Sequence, residues 1–172
     1  MSSELTMDKL TLALQTYSIL AVALAAGANL STSIITLPVL LPSKPQALAT
    51  QWRTLFNAGI TPVVTLAMSS AAGFALLAYR ATYTPTPTSP GQVNTLKRNL
   101  YVAAAIGAFS LAPYTAILMG NVNDTLMQRA AQAAKEEVKD THELVRRWGT
   151  LNFNRGLLLL AGAACGVVAS VL

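Results

Sequence analysis

Four stretches of this 172-residue chain contain no Asp, Glu, Lys or Arg: 10–43, 54–79, 99–123 and 156–172. An α-helix rises about 1.5 Å per residue, so crossing a hydrocarbon core about 30 Å thick takes roughly 20 apolar residues. The first three stretches reach that length. The fourth reaches it when counted from Trp148, because the Arg155 side chain can snorkel towards the interface. The expected fold class is all-α: an integral-membrane four-helix bundle with helical extensions outside the bilayer. It forms a single domain over 1–172, with crossings at about 10–41, 58–79, 99–120 and 148–171.

A soluble bundle would need a polar outer face on every helix, and residues 63–79 offer none. Composition points the same way, with 53% hydrophobic and only 11% charged residues, against about 25% charged in soluble domains. A secretory leader begins with a basic segment and a short apolar core. Here Glu4, Asp8 and Lys9 precede a very long apolar run, so the first helix is expected to stay in the mature protein. The net charge of +5 suits an anionic lipid surface. No clustered basic face exists for nucleic acid.

With four crossings both termini share a side. Lys9, Arg80, Lys97 and Arg98 then stand against Lys44, Arg53, Arg129, Lys135, Lys139, Arg146 and Arg147, which places the first and third loops in the cytoplasm.

Proline punctuates the pattern. The first helix is longer than a bilayer core and must tilt, kink or project, with Pro38 the expected disturbance. Ser43 and Gln46 have the form of a capping box opening a helix that carries Trp52 at the interface, and Pro62 falls at the entry of the second crossing. The Pro/Thr segment 82–91 reads as an exposed non-helical loop. Pro113 strands the carbonyl of Phe109 inside the third crossing, where Ser110 and Thr115 hydroxyls offer local compensation. Residues 121–147 read as a projecting charged helix, and Asp140 with Glu143 as a second capping box.

Intramembrane polar groups are the candidate chemistry, because burying them is expensive. Trp148, Asn152 and Arg155 stand at i, i+4 and i+7, so an indole, an amide and a guanidinium share one helix face. Asn29, Ser33 and Thr36 repeat that spacing on the first helix, with Asn29 the costliest to bury; the bland reading for the hydroxyls is interhelical hydrogen bonding. Tyr114, Thr115, Asn121 and Asn123 follow Pro113, where a kink opens room for a ligand. His142 has the titration range of a base but lies in a charged, solvated segment. Cys165 is the only cysteine and His142 the only histidine, which excludes an intrachain dithiol and leaves no ligand set for a metal. Gly162 and Gly166 form a G-x-x-x-G that points to close packing, within the bundle or between protomers of a homo-oligomer.

The segments Gly27-Ala28-Asn29-Leu30-Ser31, Gln51-Trp52, Pro113-Tyr114-Thr115, Met119-Gly120-Asn121-Val122-Asn123 and above all Arg147-Trp148-Gly149-Thr150-Leu151-Asn152-Phe153-Asn154-Arg155 resemble the anthrone oxygenase family of small membrane proteins. The resemblance covers almost the whole chain and rests on the order and spacing of these motifs. Many relatives have a proline before the asparagine where this chain has Asn121-Val122-Asn123, so either amide is open as the match.

The resemblance implies oxidation of an anthrone, such as emodin anthrone, to an anthraquinone with O2 as co-substrate and no metal or flavin. In a fungus it implies an endomembrane location. Its partners would be a small aromatic polyketide and membrane lipid. The implied catalytic residues are Arg155, Asn152 and His142, with Asn29, Trp52, Tyr114, Asn121, Asn123 and Trp148 binding substrate. A non-catalytic accessory subunit or small transporter, in which the same polar stripes merely join helices, is the rival class.

Overall fold

The computed structural model describes residues 2–82, 85–86, 89–132 and 140–172, with side chains from residue 8 onward except those of 85–93. The uncharged stretches become the centres of four helical rods, Asp8–Leu40, Pro45–Ala81, Thr95–Gln132 and Thr141–Val171, each long and apolar enough to cross a membrane. The second rod begins at Pro45, well before the expected crossing at 58, and the third at Thr95, one turn before 99. Absence of charge marks the apolar part of a helix, whereas the helix itself continues into polar sequence as long as its hydrogen-bond ladder is unbroken.

The first rod comprises α1 (Ser2–Ser31), a π-helical turn (Thr32–Thr36) and α2 (Leu37–Leu40). The second is α3 (Pro45–Ala81). A short antiparallel ribbon of β1 (Pro85–Thr86) and β2 (Ser89–Val93) lies in the segment expected to be an irregular loop. The third rod comprises α4 (Thr95–Phe109), α5 (Leu111–Tyr114), a second π-helical turn (Thr115–Met119) and α6 (Gly120–Gln132). The fourth is α7 (Thr141–Val171). Successive rods are neighbours, and α7 closes the bundle against α1.

Helix starts depart from the capping boxes in detail. The N-cap of α3 is Lys44, with Pro45 in the first helical turn and no side-chain cap bond, so Ser43 lies one residue too early. Pro45 needs no amide partner there and its fixed φ suits the first turn. Asp140 is the N-cap of α7 but its carboxylate makes no cap bond. An unforeseen cap is Asn94, whose side chain accepts from the Lys97 amide at 3.0 Å and starts the third rod. Pro62 lies inside α3. Of the projecting segment, 133–139 falls outside the described residues.

Two apolar clusters fill the bundle. One gathers Val22, Ala25, Phe74, Tyr101, Ala104, Ala108, Leu159 and Ala163. The other gathers Leu37, Leu48, Trp52, Met119, Leu126, Val145 and Trp148. The first is built on close backbone approach, since a Cβ added to Gly107 would stand 2.9 Å from the Cα of Gly162. Gly166 likewise faces Phe74, so the G-x-x-x-G packs inside the bundle. Large apolar side chains also point outward, Leu24, Val39, Ile106 and Ile117 being 63%, 73%, 64% and 78% exposed. An exterior of this kind suits hydrocarbon rather than water.

Candidate active site

Where the two clusters meet, the first, third and fourth rods bring their polar stripes together. The i, i+4, i+7 face of α7 points Trp148, Asn152 and Arg155 inward, and Asn152 and Trp148 are buried. Gly156 permits the approach of α1, because a Cβ there would lie 3.2 Å from the Cβ of Asn29 and closer still to Leu30. Asn29 therefore reaches Arg155 across 126 residues of chain: its Oδ1 accepts from Nε at 3.1 Å and from Nη2 at 2.5 Å. Arg155 Nη2 also donates to Asn152 Oδ1 at 2.8 Å, and Nη1 to Thr115 Oγ1 at 2.8 Å.

The amides are fixed in turn. Asn152 Nδ2 donates to the Asn29 carbonyl and to Ser33 Oγ, at 2.8 and 2.9 Å. Asn29 Nδ2 donates to the Ala25 carbonyl at 2.7 Å, and Thr115 Oγ1 donates to the Leu111 carbonyl at 2.7 Å while accepting from Arg155. These bonds orient both amides and engage four of the five guanidinium hydrogens, leaving one on Nη1. Every acceptor is neutral. Among the described residues no carboxylate bonds to Arg155, so its charge is solvated by dipoles but not cancelled.

A cavity of about 240 Å³ opens beside this network. It is lined by Ala28, Asn29 and Thr32 of the first rod, by Leu55, Phe56, Ala58, Gly59, Ile60, Val63 and Val64 of α3, and by Trp148, Asn152 and Arg155 of α7. Its walls are thus mainly apolar and aromatic with one polar corner, the usual character of a small-molecule site. The first π-helical turn borders it through Thr32, and the second is tied to its wall through Thr115, which bonds to Arg155. Such widened turns often mark functional sites, because they displace side chains from the regular helical register.

The other sequence candidates divide. Trp148 lines the cavity, and its Nε1 donates to Asn123 Oδ1 at 2.9 Å, so the buried Asn123 is the amide in use while the Asn121 side chain is exposed. Trp52 is neither interfacial nor on the cavity wall. It is fully buried behind the wall, stacked on Phe56 at 5.2 Å and edge-on to Trp148 at 5.8 Å, and its Nε1 has no partner among the described residues. Tyr114 packs with this aromatic cluster, within electrostatic reach of Arg155.

His142 stands apart from the cavity. Its Nε2 pairs with the Ser43 carbonyl at 3.0 Å, tying the start of α7 to the turn before α3. Sequence reasoning missed Phe56, Ala58 and Gly59 altogether, since an apolar stretch of α3 gives no sign of which face borders a void.

Arg155 thus stands on the wall of an apolar, aromatic cavity with only neutral acceptors among its described partners. The profile of the anthrone oxygenase family matches residues 52–165, and the chain belongs to that family of enzymes. It is 34% identical to an anthrone oxygenase of Claviceps purpurea over 82% of this chain and 79% of the relative, and 30% identical to one of Aspergillus fumigatus over 85% and 86%. A noranthrone monooxygenase of Aspergillus flavus is 26% identical over 83% of this chain and 66% of its own length. No solved structure matches. Family membership decides between the two classes that the sequence left open, in favour of an enzyme.

Proposed function

We propose that this chain is a multi-pass membrane enzyme that oxidises an anthrone of the emodin anthrone type to the matching anthraquinone, using O2 without metal or flavin. The observation that carries this reading is Arg155, which lines the cavity and is held by Asn29, Asn152 and Thr115 with no carboxylate among its described partners. The names of the relatives supply the substrate class.

The central methylene of an anthrone is acidic because its loss of a proton makes the middle ring aromatic and turns the ketone into an oxyanion. A preorganised guanidinium stabilises that oxyanion in a dry site, where the interaction is stronger than in water. Phe56 and Trp148 flank the tricycle, and Trp52 keeps both rings in place from behind. The electron-rich anion transfers electrons to O2 and forms a C–O bond at the former methylene carbon, giving a hydroperoxide. Elimination of water leaves the second quinone carbonyl. One O2 is consumed per anthrone, with one oxygen atom retained and one released as water, so no outside reductant enters.

In this reading the proton passes to water in the cavity, whereas His142 serves the turn at Ser43. The membrane is a fungal endomembrane, in keeping with the fungal relatives. The test is O2 uptake by detergent-purified, chelator-treated protein supplied with emodin anthrone. Equal consumption of O2 and anthrone with formation of the quinone is expected. Activity lost to chelator and restored only by added metal would discard the cofactor-free scheme, and absence of turnover under every condition would discard the substrate.

A further inference from the structure

Burial along α3 is interrupted in its middle. Trp52 and Ala67 are buried, and no residue between them is. That unburied stretch supplies the whole α3 wall of the cavity, where Ala58, Ile60 and Val64 are exposed, as is Ala28 on α1. The opposite wall is different, since Asn29, Trp148 and Asn152 are all buried. The cavity is therefore closed behind Asn152 and open beside α3.

Two glycines on α3 show where it parts from α1. A Cβ added to Gly73 would run into the Ser18 side chain of α1, and Ser70 Oγ nearby donates to the Ser18 carbonyl at 2.6 Å. Gly59 lies two heptads earlier, within about 40° of the same helix face. A Cβ added there meets nothing within 4 Å. Ala28 and the 58–64 stretch lie near the middle of rods long enough to cross a membrane, and within the charge-free stretches 10–43 and 54–79. What borders the opening is then hydrocarbon rather than water.

We propose that this opening is a lateral doorway from the bilayer to Arg155, that Gly59 sets its width, and that it admits anthrones carrying a long apolar chain on an outer ring. This rests on the function proposed above. With the ketone oxygen at Arg155, on the closed side, an outer ring faces α3 and its substituent meets the doorway. A cavity of about 240 Å³ is small for a drug-sized guest, so the tricycle fills it and an attached chain lies outside. There the chain stays in hydrocarbon, where it already lay before binding, and its length costs little. A charged group at the same ring position would have to enter hydrocarbon and is shut out.

The experiment measures O2 uptake by the full chain in phospholipid vesicles with two substrates: emodin anthrone, and an analogue whose ring methyl is lengthened to an octyl chain. The unaltered protein should oxidise both with similar kcat/KM. Gly59→Leu places a branched side chain in the doorway and should lower the octyl-to-methyl ratio of kcat/KM about tenfold, the scale on which apolar sites discriminate bulk. The ratio cancels membrane partitioning, which is the same for both proteins. Ala28→Leu narrows the opening from α1 and serves if the first variant does not fold. Rejection of the octyl analogue by the unaltered protein would overturn the proposal, because a closed cavity behaves in that way. A ratio unchanged in the folded variants would also overturn it, since a side chain that merely fills the cavity slows both substrates alike. Oxidation of neither substrate by the unaltered protein would overturn the function itself, and the doorway with it.

Discussion

The two ends of the bundle both bury an apolar cluster and are opposite in construction. At the end built around Phe74 and Tyr101 the helices are unbroken, alanine and glycine bring backbones into contact, and polar groups pair directly across helices. Gln15 Nε2 donates to Tyr101 Oη at 2.6 Å and Ser70 Oγ to the Ser18 carbonyl at 2.6 Å. At the end built around Trp52 and Trp148, two π-helical turns interrupt the regular helices, and a cavity opens between the tryptophan cluster and the Arg155 network. Hydrophobic burial alone would close both ends alike. Irregular backbone, tolerated in an apolar surround only where its groups find partners, is what keeps one of them open.

The largest effect expected from disturbing this contrast is at the open end. Arg155→Leu removes the guanidinium while keeping apolar bulk, and O2 uptake with an anthrone should fall a hundredfold or more, as for loss of an oxyanion donor. An unchanged rate would reduce the open end to a structural polar joint.

Glycines sharpen the comparison with the same small substitution at both ends. Gly107→Ala drives a methyl against the backbone of Gly162 and should cost about 1–3 kcal/mol, read as a lower thermal midpoint. Gly59→Ala meets open space beside the cavity and should stabilise by up to about 1 kcal/mol through helix propensity. Effects of the same sign would mean that the two ends are packed alike.

Trp148→Phe keeps an aromatic wall but leaves Asn123 Oδ1 without its donor, a loss of about 1 kcal/mol in thermal denaturation. The smallest effect belongs to His142→Ala, which touches only the turn at Ser43 and should change stability by about 0.5 kcal/mol or less, with an unaltered pH–rate profile. A profile that lost one limb would return His142 to the chemistry.

Much of the site was legible because it obeys the period of single helices. Trp148, Asn152 and Arg155 were readable as one face from their spacing, and Asn29 with Ser33 as another. Charge-free length announced the four rods. Reading failed where the outcome depends on how rods are rotated against one another. Trp52 looked interfacial because it follows a polar turn, yet α3 continues unbroken from Pro45 and carries it into the core. Phe56 and Gly59 were invisible as site residues, since an outward face made of apolar side chains resembles an inward one.

By itself the amino-acid sequence determined that the chain is helical, how many rods it forms, and which polar groups share a face within each rod; local geometry and the expense of burying backbone amides leave few other solutions. Only the tertiary structure decided that Asn29 meets Arg155, that Asn123 rather than Asn121 holds Trp148, and that Ala58 borders the void. The period of one helix sets angles around its own axis. The angle between helices is set by contact, here by glycines that let one backbone touch the next and by breaks in the ladder that hold two others apart.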